Sequence, residues 1–252
     1  MKPISVQLYS IREACKEDFR KSLERVAAIG YKGVEFAGFH GMTPAELRTT
    51  LDDLGLMVSS AHMPMPNKEN ADEVIKQCQT LGISRLITGP GGAIDTYDNV
   101  MACVENQRAA VELLKGNGIS FGLHNHWKEF EPVEDGKLPE DIMLDNVPEL
   151  FAELDVYWVT AAGFDAAETT SRLKRRTPIL HIKDGPVEPK QPMLAVGQGK
   201  LDMPAIIAAA DPEILEWVIV ELDSCATDMF DAVEESYNYL VGNGLASGNQ
   251  KV

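Results

Sequence analysis

Eight times along this chain a short apolar run is followed by a longer segment of helical period, and that alternation leaves few folds open. Ile4–Tyr9 reads as a strand. Phe19–Ile29 reads as a helix, with apolar positions at Leu23, Val26, Ala27 and Ile29 and a stop at Gly30. The second strand falls at Gly33–Phe36. Thr43-Pro44-Ala45-Glu46 then opens a helix with an N-cap hydroxyl, a proline at the first helical position and an acid in the first turn, and Gly55 closes it. Further strands are expected at Leu56–Ala61, Arg85–Thr88, Ile119–His124, Asp155–Val159, Pro178–Lys183 and Trp217–Leu222. Helices are expected at Ala71–Leu81, Asn99–Lys115, Val147–Leu154, Ala166–Lys174, Asp202–Ala210 and Asp228–Leu240. A unit every ~25–40 residues is the repeat that a (β/α)8 barrel requires. An open doubly wound sheet would want a glycine-rich phosphate turn after the first strand, and Tyr9-Ser10-Ile11-Arg12 is not one. No Pro/Gly/Ser-rich linker divides the 252 residues. The chain therefore reads as a single-domain α/β protein with its barrel over 1–241, and Gly242–Val252, rich in Gly, Asn and Ser, as a flexible tail.

Charge narrows the function classes. Lys and Arg total 23 against 39 Asp and Glu, a net charge of −16. A nucleic-acid partner calls for a basic face, and no basic run exceeds Lys174–Arg176. Acidity instead favours a bound cation. Nowhere do 18 apolar residues run together, so no membrane span is expected. The four cysteines, Cys15, Cys78, Cys103 and Cys225, are scattered and form no C-x-x-C, which points to reduced thiols. Met1-Lys2-Pro3-Ile4-Ser5-Val6 enters a strand pattern directly, without the apolar core and cleavage site of a secretory leader. A cytoplasmic setting is expected.

In such a barrel the reacting groups lie at the C-terminal ends of the strands. Those ends hold Tyr9 and Arg12, Glu35, His62, the stretch His124-Asn125-His126-Trp127-Lys128-Glu129-Phe130, then Asp155 to Trp158, His181 to Asp184, and Glu221 to Asp223. Four of the five histidines are there; His40 follows the second strand in a loop. Any one of these residues alone reads as a solvated strand end. Asp155, His181 and Glu221 together, on three consecutive strands, make an oxygen/nitrogen donor set without thiolate, suited to one Mn²⁺, Mg²⁺, Co²⁺ or Zn²⁺.

The fifth strand should supply a fourth ligand. His124 and His126 share a face by alternation, whereas Glu129 lies in the loop, where parity does not constrain it. Glu129 is the expected ligand, because another carboxylate suits a hard cation. His126 or His124 is then left for proton transfer, alongside Glu221. Lys183 shares the parity of His181 and would either hold an anionic substrate oxygen or pair with Asp184 or Asp155. Trp158 would wall a sugar ring or belong to the core. Tyr9 and His62 are candidate substrate contacts. Gly197-Gln198-Gly199 reads as a tight loop, either near the ligand or a simple turn before the next helix.

At these residues the chain resembles the xylose isomerase-like TIM barrel superfamily, in its sugar phosphate isomerase/epimerase branch. The likeness is carried by Val6 to Arg12, Gly30 to Glu35, His124-Asn125-His126 with Glu129-Phe130, Leu154 to Val159, His181-Ile182-Lys183-Asp184, Gly197-Gln198-Gly199 and Val220 to Asp223. The resemblance implies one divalent metal held by Asp155, His181 and Glu221. Many epimerases of the superfamily place a glutamate immediately before Asn-His on strand five; this chain has His124 there, and Gln198 where a glutamate is more usual. The implied activity is isomerisation or epimerisation of a carbohydrate or polyol through an enediolate, a small-molecule reaction. An inosose-dehydratase-like lyase would share that intermediate. An abasic-site endonuclease of the same superfamily would need more ligands and a basic DNA face, and a sugar-binding protein without turnover would keep only the barrel. Homo-oligomerisation is a further expectation of the resemblance.

Overall fold

The computed structural model describes residues 1–188 and 191–250. Its strands are β1 (Lys2–Gln7), β2 (Gly33–Phe36), β3 (Met57–His62), β4 (Arg85–Thr88), β5 (Ser120–His124), β6 (Phe151–Asp155), β7 (Ile179–Ile182) and β8 (Trp217–Val220). They pair parallel in chain order, and β1 joins both β2 and β8, which closes the sheet into an eight-stranded barrel. Helices α1 (Arg12–Glu17), α2 (Phe19–Ile29), α3 (Pro44–Leu54), α4 (Ala71–Leu81), α5 (Tyr97–Leu114), α6 (Pro139–Asn146), α7 (Val156–Ala161), α8 (Ala166–Leu173), α9 (Met203–Ala209) and α10 (Met229–Gly242) surround it. The Thr43 start predicted for α3 is a full capping box with Glu46. Among the described residues no helix is long and apolar enough to cross a membrane. Cys15, Cys78 and Cys103 are buried free thiols, and Cys225 is a half-buried one.

Strand parity divides the molecule into two cores. Outward residues such as Val6, Val34, Leu86, Leu123, Leu154, Leu180 and Val218 join the helices in the main apolar layer. Inward, Ile87, Phe151, Ile179, Trp217 and Ile219 form a separate cluster that plugs the barrel floor. Each such side chain contributes about 1.5–3 kcal/mol on full burial. Glycine makes room for this plug: a Cβ at Gly122 would lie 2.3 Å from the Phe151 ring. Above the plug the inward positions turn polar, and the site begins there.

The sixth unit differs from the pattern read in sequence. Val147–Leu154 is not a helix, and Asp155–Val159 is not the strand: β6 occupies Phe151–Asp155, and Val156 onward is helix α7. All five β6 residues are buried, so the polar/apolar alternation that betrays a strand is missing. Asp155 ends the strand because its Oδ1 accepts the Tyr157 and Trp158 amides, each at 3.0 Å, as the N-cap of α7.

The segment expected as a tail contains a further short strand. Ala246–Ser247 form β9, which pairs with Lys2 and Pro3 of β1. The Asn249 amide donates to Gly30 O at 2.7 Å and the Gln250 amide to Tyr237 Oη at 3.0 Å. Gly248 permits this docking, since a Cβ there would lie 1.9 Å from that phenol oxygen. Lys251 and Val252 fall outside the described residues.

Candidate metal centre at the barrel mouth

Adjacent strands bring a stack of polar side chains to the C-terminal end of the barrel. Asn125 locks the ends of β5 and β6 together: its Oδ1 accepts the Asp155 amide at 2.8 Å and its Nδ2 donates to Asp155 O at 3.3 Å. With one Asp155 oxygen capping α7, the other, Oδ2, accepts no hydrogen bond and lies 3.1 Å from the Lys183 ammonium. His181 Nδ1 is 3.0 Å from Glu221 Oε2. Donor atoms of His124, Asp155, His181 and Glu221 all fall within 4.8 Å of one another, and all four residues are buried.

A second set lies beneath, made of His62, His124, Glu153 and His181 under the same 4.8 Å limit. Glu153 Oε2 meets His62 Nε2 at 2.6 Å and His124 Nδ1 at 3.0 Å. Its Oε1 has no hydrogen-bond partner and stands 3.3 Å from His181 Nε2. Glu35 Oε1 meets the same His181 nitrogen at 2.7 Å and also accepts from Gln7 at 2.6 Å, while Glu35 Oε2 accepts from Ser60. A bulge in β3 sets this level, because Val34 pairs with Val58 but Glu35 pairs with Ser60.

Burial works against every charge here; it prevails at Glu35, Asp155 and His124 and is outweighed by neighbours at Glu153, Glu221 and His62. Burial and then the nearby Glu153 push Glu35 up to about 7. Burial would raise Glu153 too, but the His181 and His62 rings hold it well below the carboxylate range. Burial raises Asp155 to about 6 against the pull of Lys183. For Glu221 the same burial is outweighed by Lys183 and His181, which hold it well below the usual value. Burial lowers His124 to about 3, leaving a neutral ring. For His62 burial is overcome by Glu153 and Glu35, which bring it to about 9.

Set against the sequence expectations, the mouth gathers Asp155, His181, Glu221 and His124, and leaves Glu129 out of both sets. Glu129 is buried, but its Oε2 accepts the His126 amide at 2.8 Å and so closes the local turn. Lys183 is fully buried and reaches three carboxylates, Glu221 at 2.7 Å, Asp223 at 2.8 Å and Asp155 at 3.1 Å, rather than standing free over the mouth. Asp184 instead accepts the amides of Gly185, Gly197, Gly199 and Leu201, which makes Gly197-Gln198-Gly199 a strapped turn. His62 is tied down to Glu153 yet still lines the mouth with Tyr9, His126, Glu221 and Asp223, around a cavity of about 580 Å³. Trp158 is partly exposed and lines a neighbouring cavity of about 470 Å³ with Trp127 and Tyr157. Asp223 borders both.

Sequence reasoning missed Glu153, and it placed Glu35 and Asp223 at the mouth without a role. The missed signal for Glu153 is its i, i+2 relation to Asp155, which becomes visible once β6 is placed correctly.

The donors fit a divalent cation: imidazole and carboxylate only, no thiolate, a buried seat, and a buried Asp155 oxygen that accepts no hydrogen bond.

Comparison with known proteins agrees with this architecture. A family model described as xylose isomerase-like TIM barrel matches residues 23–240. A sugar phosphate isomerase/epimerase structure from Parabacteroides distasonis is 27% identical, with TM-score 0.79 over 95% of this chain and 93% of that one. An L-ribulose 3-epimerase structure shares the fold at 15% identity and TM-score 0.73, covering 97% and 95% of the two chains. The IolI protein, solved with a bound zinc atom, does so at 14% identity and TM-score 0.74, covering 96% and 99%. No curated protein matches the chain in sequence.

Proposed function

The chain belongs to the xylose isomerase-like TIM barrel family, and from that premise we propose that it is a divalent-metal-dependent isomerase or epimerase of a carbohydrate or polyol. The observation that carries this reading is the convergence of His124, Asp155, His181 and Glu221 within 4.8 Å beside the mouth cavity. These four residues would hold the ion, with His124 taking the place expected for Glu129. The zinc in the IolI structure and the isomerase/epimerase neighbours support the same reading.

A divalent cation held by these residues would supply Lewis acidity toward an α-hydroxycarbonyl, favouring loss of the neighbouring C–H proton. The chain's own groups do the rest. His126 is half-buried and borders the mouth cavity, and among the described residues its ring makes no hydrogen bond. In this reading it takes the C–H proton and returns it to the other carbon or the opposite face. Glu221, already paired with Lys183 and His181, is the weaker base and serves as ligand. His124, neutral and bound to Glu153, does the same. Tyr9 and His62 line the substrate side, and Trp158 offers an apolar face beside it.

The test is elemental analysis of purified protein followed by solvent-deuterium exchange into candidate ketoses and inososes. The expected result is a single ion per chain and exchange that disappears in His126→Gln with the metal retained. A product lighter by one water would move the assignment to a lyase. Protein that takes up no ion even after Mn²⁺ is added would overturn the reading.

A further inference from the structure

We infer that Glu153 is a positioning residue whose carboxylate sets the tautomer and aim of His124 and, with Glu35, of His181. This rests on the metal-centre reading above, but it concerns the layer beneath that centre.

A neutral imidazole has one lone pair and one N–H, so a histidine serves a cation with one nitrogen only if the other has an acceptor. His124 turns Nδ1 down to Glu153 Oε2 at 3.0 Å and leaves Nε2 facing Asp155 Oδ2 at 4.0 Å. His181 turns Nε2 down to Glu35 at 2.7 Å and to Glu153 Oε1 at 3.3 Å, and leaves Nδ1 toward Glu221. The two rings thus point opposite nitrogens upward, and one buried carboxylate lies below both. His62 brings a third nitrogen to it at 2.6 Å.

The same atoms could be read as a second cation seat, since His62, His124, Glu153 and His181 also fall within 4.8 Å. That seat shares two imidazoles with the upper one through their other nitrogens. Filling both would require each ring to give up its remaining proton and bridge two ions as imidazolate. Carboxylates receiving those N–H groups, Glu153 for His124 and Glu35 for His181, need no such deprotonation, and they match the outer-shell acid that commonly orients a metal-bound histidine.

Two measurements test this. In metal-free wild-type protein, ¹⁵N NMR of the histidine rings should show His124 as the Nδ1–H tautomer. In Glu153→Gln, one carbonyl oxygen and an NH₂ group face donors that a carboxylate alone could all receive. The His124 signature should then change, and affinity for Mn²⁺ or Zn²⁺ alone, read by equilibrium dialysis, should fall about 10- to 100-fold, with the circular dichroism spectrum kept. An Nε2–H tautomer in the wild type overturns the inference. So does unaltered affinity in Glu153→Gln, or two ions per wild-type chain, which would make Glu153 a ligand. If the wild type binds no metal, the functional reading fails alone, because the tautomer is read without metal.

Discussion

The ammonium of Lys183 lies 2.7 Å from Glu221 Oε2, at a position closed to solvent, and reaches Asp155 and Asp223 from the same place. Lys183 therefore holds together two carboxylates of the candidate centre and also competes with a cation for them. Removing one partner of a buried ion pair costs about 3–5 kcal/mol, because the remaining charges are left uncompensated. Lys183→Met should lose stability of that order in urea unfolding without metal. Added Mn²⁺ should restore more stability to the variant than it adds to the wild type. Equal stabilisation of the two proteins would show that Lys183 does not share the cation's carboxylates.

Asp155 has two separable tasks, one per oxygen. Oδ1 caps α7 and Oδ2 faces the donor set. Asp155→Asn keeps a cap acceptor but loses the carboxylate, whereas Asp155→Ala loses both. Both variants should lose the stabilisation that metal confers, about 2.7 kcal/mol at 100-fold excess over Kd. Asp155→Ala should be less stable than Asp155→Asn by a further ~1 kcal/mol, the usual worth of an N-cap. Thermal melts with and without metal separate the two effects.

The barrel was legible because capping and glycine stops punctuate nearly every unit, as at Thr43 and Gly55. The upper donor set was legible because strand ends localise chemistry, so Asp155, His181 and Glu221 could be named without coordinates. The shift of β6 and the absence of Glu153 share one cause. A strand buried on every residue carries no alternation, so β6 was displaced by four residues and Glu153 was hidden inside an expected helix. Glu129 stands apart from the donor sets for a different reason: loop carboxylates serve backbone amides as readily as ions, and its bond to the His126 amide is a tertiary fact. The pairing of β9 with β1 joins residues at opposite ends of the chain, and no local pattern announces it.

Glu129→Gln tests whether Glu129 belongs to the ligand set. The glutamine keeps a carbonyl to accept the His126 amide, so the turn survives. Metal affinity by equilibrium dialysis should match the wild type, while His181→Ala should abolish it. A large loss in Glu129→Gln would return this residue to the ligand set and displace His124.

The strapped turn after β7 has a steric signature. A Cβ on Gly199 would lie 2.0 Å from Asp184 Oδ1 and 2.2 Å from the Gly185 nitrogen, the groups whose hydrogen bonds tie the turn. Neither is the loose end of a flexible side chain. Gly199→Ala should cost about 1–3 kcal/mol by overpacking, measured by chemical denaturation. Ala at Gly116, where a Cβ meets nothing within 4 Å but φ is +80°, isolates the backbone cost as a control.

Glu140 makes pH dependence of stability readable away from the mouth. It is fully buried in the first turn of α6, and neither carboxylate oxygen has a hydrogen-bond partner. Burial, then the neighbouring Glu129 and Asp141, push its carboxyl well above the ordinary 4.5. The folded chain therefore holds this proton more tightly than the unfolded chain does. The resulting stabilisation is complete below 4.5, falls as pH climbs from there, and is gone once pH passes the raised folded value. Glu140→Gln has no proton to lose, so its unfolding free energy should gain on the wild type through that window, by up to about 1.4 kcal/mol per pH unit. Carboxylates common to both proteins cancel in the difference. Parallel urea titrations from acid to neutral pH give the slope directly, and a flat difference would mean that folding leaves the proton affinity of Glu140 unchanged.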